Sequence, residues 1–199
     1  MREEKVIYLP QPADRSKISL EEAITKRRSK RDFSNKELSI KEISQLLWAA
    51  QGITGKSGDS RLRAVPSAGA LYPLEIYLLS KYGFFHYVPN GHTLEILGSK
   101  DLRTKLAFSS LGQTSVEHAA VDIVICGVST RITDKYGGRG ITYMYIEAGH
   151  VAQNIQLQAV VLGLGSVSIG AFNDEEVDKI LALPEGCQSL YIVPVGYKK

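Results

Sequence analysis

Near the start of the chain, apolar positions fall twice at helical spacing. Leu20, Ala23 and Ile24 form one stripe, and Ser19 with Glu22 has the spacing of a capping box, so a helix is expected over 20–30. The device recurs at Ser39 and Glu42, after which Ile40, Ile43, Leu46, Leu47 and Ala50 keep a period near 3.6 until Gly52 offers a C-cap. Between 54 and 69 the chain turns to Gly, Ser, Lys, Arg and Pro, and a long irregular loop is expected. The apolar pattern then becomes strand-like over 74–80, 84–88 and 93–97, the last two flanking Pro89-Asn90-Gly91, which reads as a hairpin turn. A helix is expected over 101–111, a buried strand over 121–128, a long helix over 142–162 and a short strand over 166–169. Asn173 with Glu176 starts a capped helix to about 183, and 190–195 is a final strand. Helices mixed with a central hairpin predict an α+β fold on a partly antiparallel sheet, and no repeat or linker divides 1–199 into more than one domain.

Composition narrows the classes. With 199 residues and 44% hydrophobic content the chain can bury one real core. Cys126 and Cys187 stand far apart in sequence without zinc-like spacing, so two reduced buried thiols are expected. Met1 to Pro12 has no continuous apolar run of the signal-peptide kind. The most apolar stretch, 143–172, is interrupted by Glu147, His150, Gln153, Asn154, Gln156 and Gln158, too often for a bilayer span. A soluble cytoplasmic protein with no membrane partner is the expectation. A net charge of +3 is too mild for a surface built to hold nucleic acid. Its distribution says more, because five of the six residues from Lys26 to Arg31 are basic and Lys198 and Lys199 close the chain.

Several motifs invite chemistry. Ala50 to Ser57 fits a relaxed phosphate-loop pattern, but a capped helix precedes it where a strand is needed. Gly163, Gly165 and Gly170 lack dinucleotide spacing. His86, His92, His118 and His150 form no metal-ligand pair, and Glu147 has no second carboxylate to work with, so neither set is assigned chemistry. The basic run Arg27-Arg28-Ser29-Lys30-Arg31 reads either as a solvated helix end or as an oxyanion site in which Ser29 adds a neutral donor. Pro66-Ser-Ala-Gly-Ala-Leu-Tyr-Pro73 reads as a turn-rich strand entry or as a close approach to a flat ligand or second subunit. Gly163 to Phe172 reads as a tight crossover after the long helix.

In this order these stretches, together with Ile146-Glu-Ala-Gly-His150, Gln153-Asn154 and Val193-Pro-Val-Gly196, resemble the nitroreductase family, and within it the azoline-oxidising SagB-type dehydrogenases. The resemblance implies a mostly antiparallel sheet flanked by helices in a homodimer, with flavin mononucleotide (FMN) at the subunit interface. It implies phosphate and ribityl contacts from Arg27, Arg28 and Ser29, joined by Lys198 or Lys199, and a cation at Arg31 beside the N1/O2 edge of the flavin. Pro66, Ser67, Ala68, Gly69 and Leu71 would come from the partner, and Gln113 would meet the pyrimidine ring. Ser168, Ile169, Gly170 and Ala171 would cover the ring, with a backbone N–H near N5. Two departures stand out: Gly170-Ala171 replaces the acid-glycine pair of many relatives, and many relatives extend beyond the position of Lys199. The implied activity is NAD(P)H-linked reduction of a nitroaromatic, quinone or similar small acceptor, or azoline dehydrogenation, with no catalytic side chain required. A flavin-binding protein without turnover and a basic nucleic-acid binder are the competing readings.

Overall fold

A computed structural model describes residues 6–58 and 60–199. In chain order the strands are β1 (Val6–Tyr8), β2 (Ile53–Ser57), β3 (Ser60–Arg63), β4 (Leu74–Ser80), β5 (Gly83–Val88), β6 (Thr93–Gly98), β7 (Val121–Val128), β8 (Gly165–Ser166) and β9 (Cys187–Gly196). The helices are α1 (Leu20–Lys26), α2 (Ile40–Gln51), α3 (Arg103–Ser109), α4 (Thr114–His118), α5 (Thr130–Tyr136), α6 (Arg139–Val161) and α7 (Asp174–Ile180). Seven strands form one sheet in the order β1-β6-β5-β4-β7-β9-β8, every neighbouring pair antiparallel.

Alternation of side chains across these strands builds two cores. On one face Ile76, Leu78, Ile123, Ile125, Val193 and Val195 pack with Leu46 and Leu47 of α2 and Met144, Val151 and Ile155 of α6. On the other, Tyr77, Leu79, Val124, Cys126 and Ile192 pack with Leu106 of α3, Val116 of α4 and Val177 of α7. Because helices cover both faces, β7 is buried almost throughout and reads as a continuous apolar run instead of an alternating one. It carries one exception, the fully buried Asp122. The two cysteines, remote in sequence, lie on the neighbouring strands β7 and β9, where both are buried and free. The capped starts are as expected: Ser19, Ser39 and Asn173 accept from the backbone N–H groups of Glu22, Glu42 and Glu176.

Besides β1, which was not expected, and β8, which covers Gly165–Ser166 and not 166–169, four elements differ from the sequence expectation. The first helix stops at Lys26 instead of continuing to 30, since Arg27 leaves the helix with ψ 121°. Continuing would place Arg27, Lys30 and Arg31 on one face at repulsive i, i+3 and i+4 spacings. The loop expected over 54–69 contains the β2–β3 hairpin, turned at Gly58 (φ 57°) and exposed on both faces, so no alternation marked it. The helix expected over 101–111 breaks at Leu111 and Gly112, both left-handed, and resumes as α4 with Gln113 at its N-cap. Finally, α5 was not foreseen, because Ile132 is its one buried residue. The histidines take structural places: His86 lies 2.8 Å from Glu75 and 2.9 Å from Glu95, and His118 and His150 are exposed. Ser44 donates to the Pro10 carbonyl, so it accepts from His92 Nε2, and His92 Nδ1 accepts from Tyr87.

Candidate functional site

The basic segment is pinned to the sheet by its own backbone and by Phe33. Lys30 N–H donates to the Ser166 carbonyl (2.9 Å), Ser34 N–H to that of Tyr197 (2.8 Å), and Ser29 and Phe33 bridge Ser166 and Lys198. The ring of Phe33, 1% exposed, fills a slot that exists because two residues lack side chains. A Cβ at Gly196 would lie 3.0 Å from that ring, and one at Gly165 would lie 2.9 Å from Lys30 and Lys198. This packing carries Arg27 to Arg31 and Lys198 to one end of the sheet, where Arg28, Lys30, Lys198, Gly163 and Ser166 line a cavity of about 260 Å³.

Two polar links extend the cluster. Arg27 Nη1 donates to Gln156 Oε1 (3.1 Å), and Gln156 Nε2 donates to Ser168 Oγ, so α6 ties the basic segment to residues 168–171. Gln113 Nε2 donates to the Ala171 carbonyl (3.1 Å), which brings Gln113 to the same segment. Ile169 contributes less than expected: its side chain is buried in the core, and its N–H and carbonyl are both paired with Ile192. Over 169–171 the backbone groups left for a ligand are therefore those of the exposed Gly170 and the N–H of Ala171. Arg28 is also partly committed, since Nη1 donates to the carbonyls of Thr25 and Arg27 at the end of α1. Arg31 is exposed, between the anchored Lys30 and the buried Phe33.

Among the described residues, none of Arg27, Arg28, Lys30, Arg31 or Lys198 has a carboxylate within ion-pair distance. Cations gathered around a hydroxyl without counterions form a donor set that fits a phosphate monoester. They are not arranged for a metal, and no group of three or more His, Cys, Asp or Glu among the described residues could hold one.

The Pro66 to Leu71 loop lies elsewhere in the protomer. Ser67 approaches Glu147 of α6, whereas Ser168 meets Gln156, nine positions further along the same helix. At 1.5 Å per residue that separation is roughly 14 Å. The loop is built from left-handed residues, Gly69 (φ 62°), Ala70 (φ 54°) and Tyr72 (φ 48°). A Cβ on Gly69 would lie 2.8 Å from the Tyr136 hydroxyl and 3.0 Å from Lys135 Nζ, ends of side chains that can swing aside, so it is the left-handed φ that favours glycine there. Beneath the loop a polar chain runs inward: Arg63 Nη1 donates to Gln51 Oε1 (3.1 Å), and Gln51 Nε2 donates to Glu147 Oε1 (3.4 Å). Burial pushes the Glu147 carboxyl above its ordinary range, against the nearby Ser67 hydroxyl, the hydrogen bond of Gln51 and the charge of Arg63. The sequence drew attention to Glu147 only as a buried acid without a partner. Gln51, Arg63 and Gln156 left one signal, polar residues on otherwise apolar helix faces or beside glycine-rich loops.

No helix among the described residues is long and apolar enough to cross a membrane. Residues 24–197 match the sequence model of the nitroreductase family. The chain is 39% identical over 198 residues to MJ1384 of Methanocaldococcus jannaschii, a protein named for that family, with 96% of each chain covered. It is 29% identical over 162 residues to the microcin B17-processing protein McbC of Escherichia coli, covering 75% of this chain and 58% of McbC. The crystal structure of a Ralstonia eutropha protein described as a nitroreductase superposes with a TM-score of 0.88 at 28% identity, over 100% of this chain and 92% of the other. Members of the family are flavin-dependent oxidoreductases. With the seven-stranded antiparallel sheet, its two helical layers and a family match that spans nearly the whole sequence, the chain belongs to the nitroreductase family.

Proposed function

We propose that this chain is an FMN-dependent oxidoreductase in which two copies share two cofactor sites, and that residues 1–199 act as one FMN-binding domain. The observation that carries this reading is the set of uncompensated cations beside Ser29, Ser168 and Gln113 at one end of the sheet. Arg27, Arg28, Ser29 and Lys198 would hold the phosphate and ribityl chain, with Lys198 favoured over Lys199 because its stem lies against Gly165. Arg31 and Gln113 would take the pyrimidine edge of the ring, and Ser168, Gly170 and Ala171 its face. The FMN ring, when bound, supplies two-electron hydride chemistry, and the protein's part is to bind it, orient it and exclude water.

A second subunit is part of the proposal because Pro66, Ser67, Ala68, Gly69 and Leu71 gather at the α5 end of α6, away from Gln156 and the cations, and the resemblance assigns them to the partner's cofactor. The surface supports it. Tyr145 (52% exposed) and Ile146 (50%) of α6 and Leu20 (61%) and Ile24 (54%) of α1 leave apolar side chains in water that a twofold partner would cover. NAD(P)H is the proposed donor, and a nitroaromatic, quinone or related small molecule the acceptor. Azoline dehydrogenation in the manner of the SagB-type branch is the second reading, favoured by the ordered motifs and by the likeness to McbC.

The purified protein is expected to be yellow and dimeric, to release FMN and not FAD on denaturation, and to bleach under anaerobic NADH or NADPH. Arg27→Ala should weaken FMN binding by about tenfold or more, the value of a charge-assisted hydrogen bond to phosphate. A colourless monomer that takes up no added FMN would sink the proposal, as would an unchanged dissociation constant for its Arg27 component. Retained FMN without bleaching would leave a binding protein and remove the enzyme.

A further inference from the structure

We infer that Glu147 is a positioning residue for the cofactor: its buried carboxylate anchors Gln51, which holds Arg63 and through it Tyr72, and stands beside Ser67, and so fixes the loop that each protomer extends to its partner's flavin. This rests on the proposed function, because it takes the Pro66 to Leu71 loop to be a cofactor contact.

The loop needs holding. Ala70 and Tyr72 are left-handed residues that carry a Cβ, a conformation that persists only where the surroundings over-determine it. Those surroundings form a closed set. Tyr72 N–H donates to Ser67 Oγ (2.9 Å), Arg63 N–H donates to the Tyr72 hydroxyl (3.1 Å), and the Arg63 guanidinium stacks 4.6 Å over the Tyr72 ring. The same guanidinium continues through Gln51 to Glu147 Oε1. Ser67 Oγ, already accepting from Tyr72, has its own hydrogen left to give. Beside it stands a carboxylate 2% exposed, whose Oε2 is buried and has no aligned donor.

The acceptor count explains why the residue is a glutamate. Gln51 and Ser67 approach from different sides, and an ionised carboxylate offers two accepting oxygens where a glutamine offers one oxygen and a competing donor. Burying that charge is unfavourable, and an apolar residue would pack into α6 at lower cost. Charged and titratable groups near it are few: Arg63 from β3 faces it, Tyr72 lies under Arg63, and Glu75 and Arg131 act on Arg63 in turn. From α2 comes the uncharged Gln51, from the loop Ser67, and His150 on the next turn of α6 is exposed. Protonating Glu147 turns one acceptor into a donor and releases one arm, so the hold on the loop must weaken as pH falls through the carboxyl's raised range.

The test compares wild type, Glu147→Gln and Ser67→Ala by two measurements, amide hydrogen exchange of residues 66–72 without FMN and the FMN dissociation constant across pH. Ser67→Ala cuts the contact from the loop side and cannot hollow the core. Both variants are expected to exchange about tenfold faster in the loop and to bind FMN about tenfold more weakly at neutral pH, with no further loss when combined. Wild-type affinity should fall towards theirs as pH is lowered, while Glu147→Gln stays flat. Wild-type exchange in Glu147→Gln overturns the role of Glu147, whatever Ser67→Ala does through the lost acceptor of Tyr72 N–H. Faster exchange with unchanged FMN binding keeps the brace but removes the loop from the cofactor, and so overturns the reading on which this rests.

Discussion

Replacing Phe33 by alanine is expected to destabilise the protein by about 3–5 kcal/mol, the usual cost of truncating a fully buried aromatic side chain. The slot it fills cannot collapse, because its walls are the backbones of β8 and β9 at Gly165 and Gly196. Stabilities of ordinary domains are about 5–15 kcal/mol, so the loss is a large share of the total. The second consequence is local. Phe33 anchors the segment that presents Arg27 to Arg31, and Lys198 is paired to it through the Phe33 bridge. FMN affinity should therefore fall further than the folded fraction does. Urea titration gives the first quantity and fluorescence titration at low denaturant the second. A stability loss under about 1 kcal/mol would show that the slot closes and that the basic segment is held by its backbone hydrogen bonds alone.

What could be read from the sequence was whatever obeyed a local rule. Capping serines, the Pro89-Asn90-Gly91 turn and the continuous apolar run of β7 each have a physical cause within a few residues, and each is where it was expected. The misplaced boundaries share a different cause. At Lys26 the helix gives way to pairing of Ser29 and Lys30 with Ser166, a partner more than a hundred positions away. The β2–β3 ribbon is exposed on both faces and held by its own backbone, so side-chain periodicity carries no trace of it. Leu111 has a left-handed φ that its side chain gives no reason to expect, although Gly112 after it was a legible stop.

The candidate site was legible in its charges and not in its wiring. Five basic residues among six suggest an oxyanion from sequence alone, but nothing there shows that Arg28 turns back onto the end of α1, or that Ile169 has spent both backbone groups on Ile192. Gln156 is the clearest loss. It joins Arg27 to Ser168 from the middle of a long helix, where a lone glutamine looks like any other polar interruption. The resemblance assigns the loop at 66–71 to a second subunit, and that it sits roughly 14 Å along α6 from Gln156 is visible only with the helix in place.

Replacing Asp122 by asparagine is expected to stabilise the protein, by an amount that grows with pH. Asp122 sits on β7 opposite Leu79 and Pro194, fully buried, and neither carboxyl oxygen has a hydrogen-bond partner. The one cation that acts on it, Arg103, spends its guanidinium on Asp101 (2.7 and 3.0 Å) and on the Ala119 carbonyl (2.7 Å). Burial pushes the Asp122 carboxyl well above its ordinary range; Arg103 draws it back and Asp101 pushes it further. The sign follows. An unfolded aspartate releases its proton near pH 4, whereas the folded one keeps it, so above that pH the folded state binds the extra proton and stability falls as pH rises. The slope is about 1.4 kcal/mol per pH unit until the folded carboxyl itself ionises. Asparagine has nearly the same shape and no titration, and all other groups are common to both proteins, so their difference isolates this residue. From pH 4 upward the variant should gain steadily on wild type, measured by urea titration at each pH. A difference that stays flat, or that shrinks as pH rises, would mean that Asp122 is ionised in the folded protein and paired with Arg103.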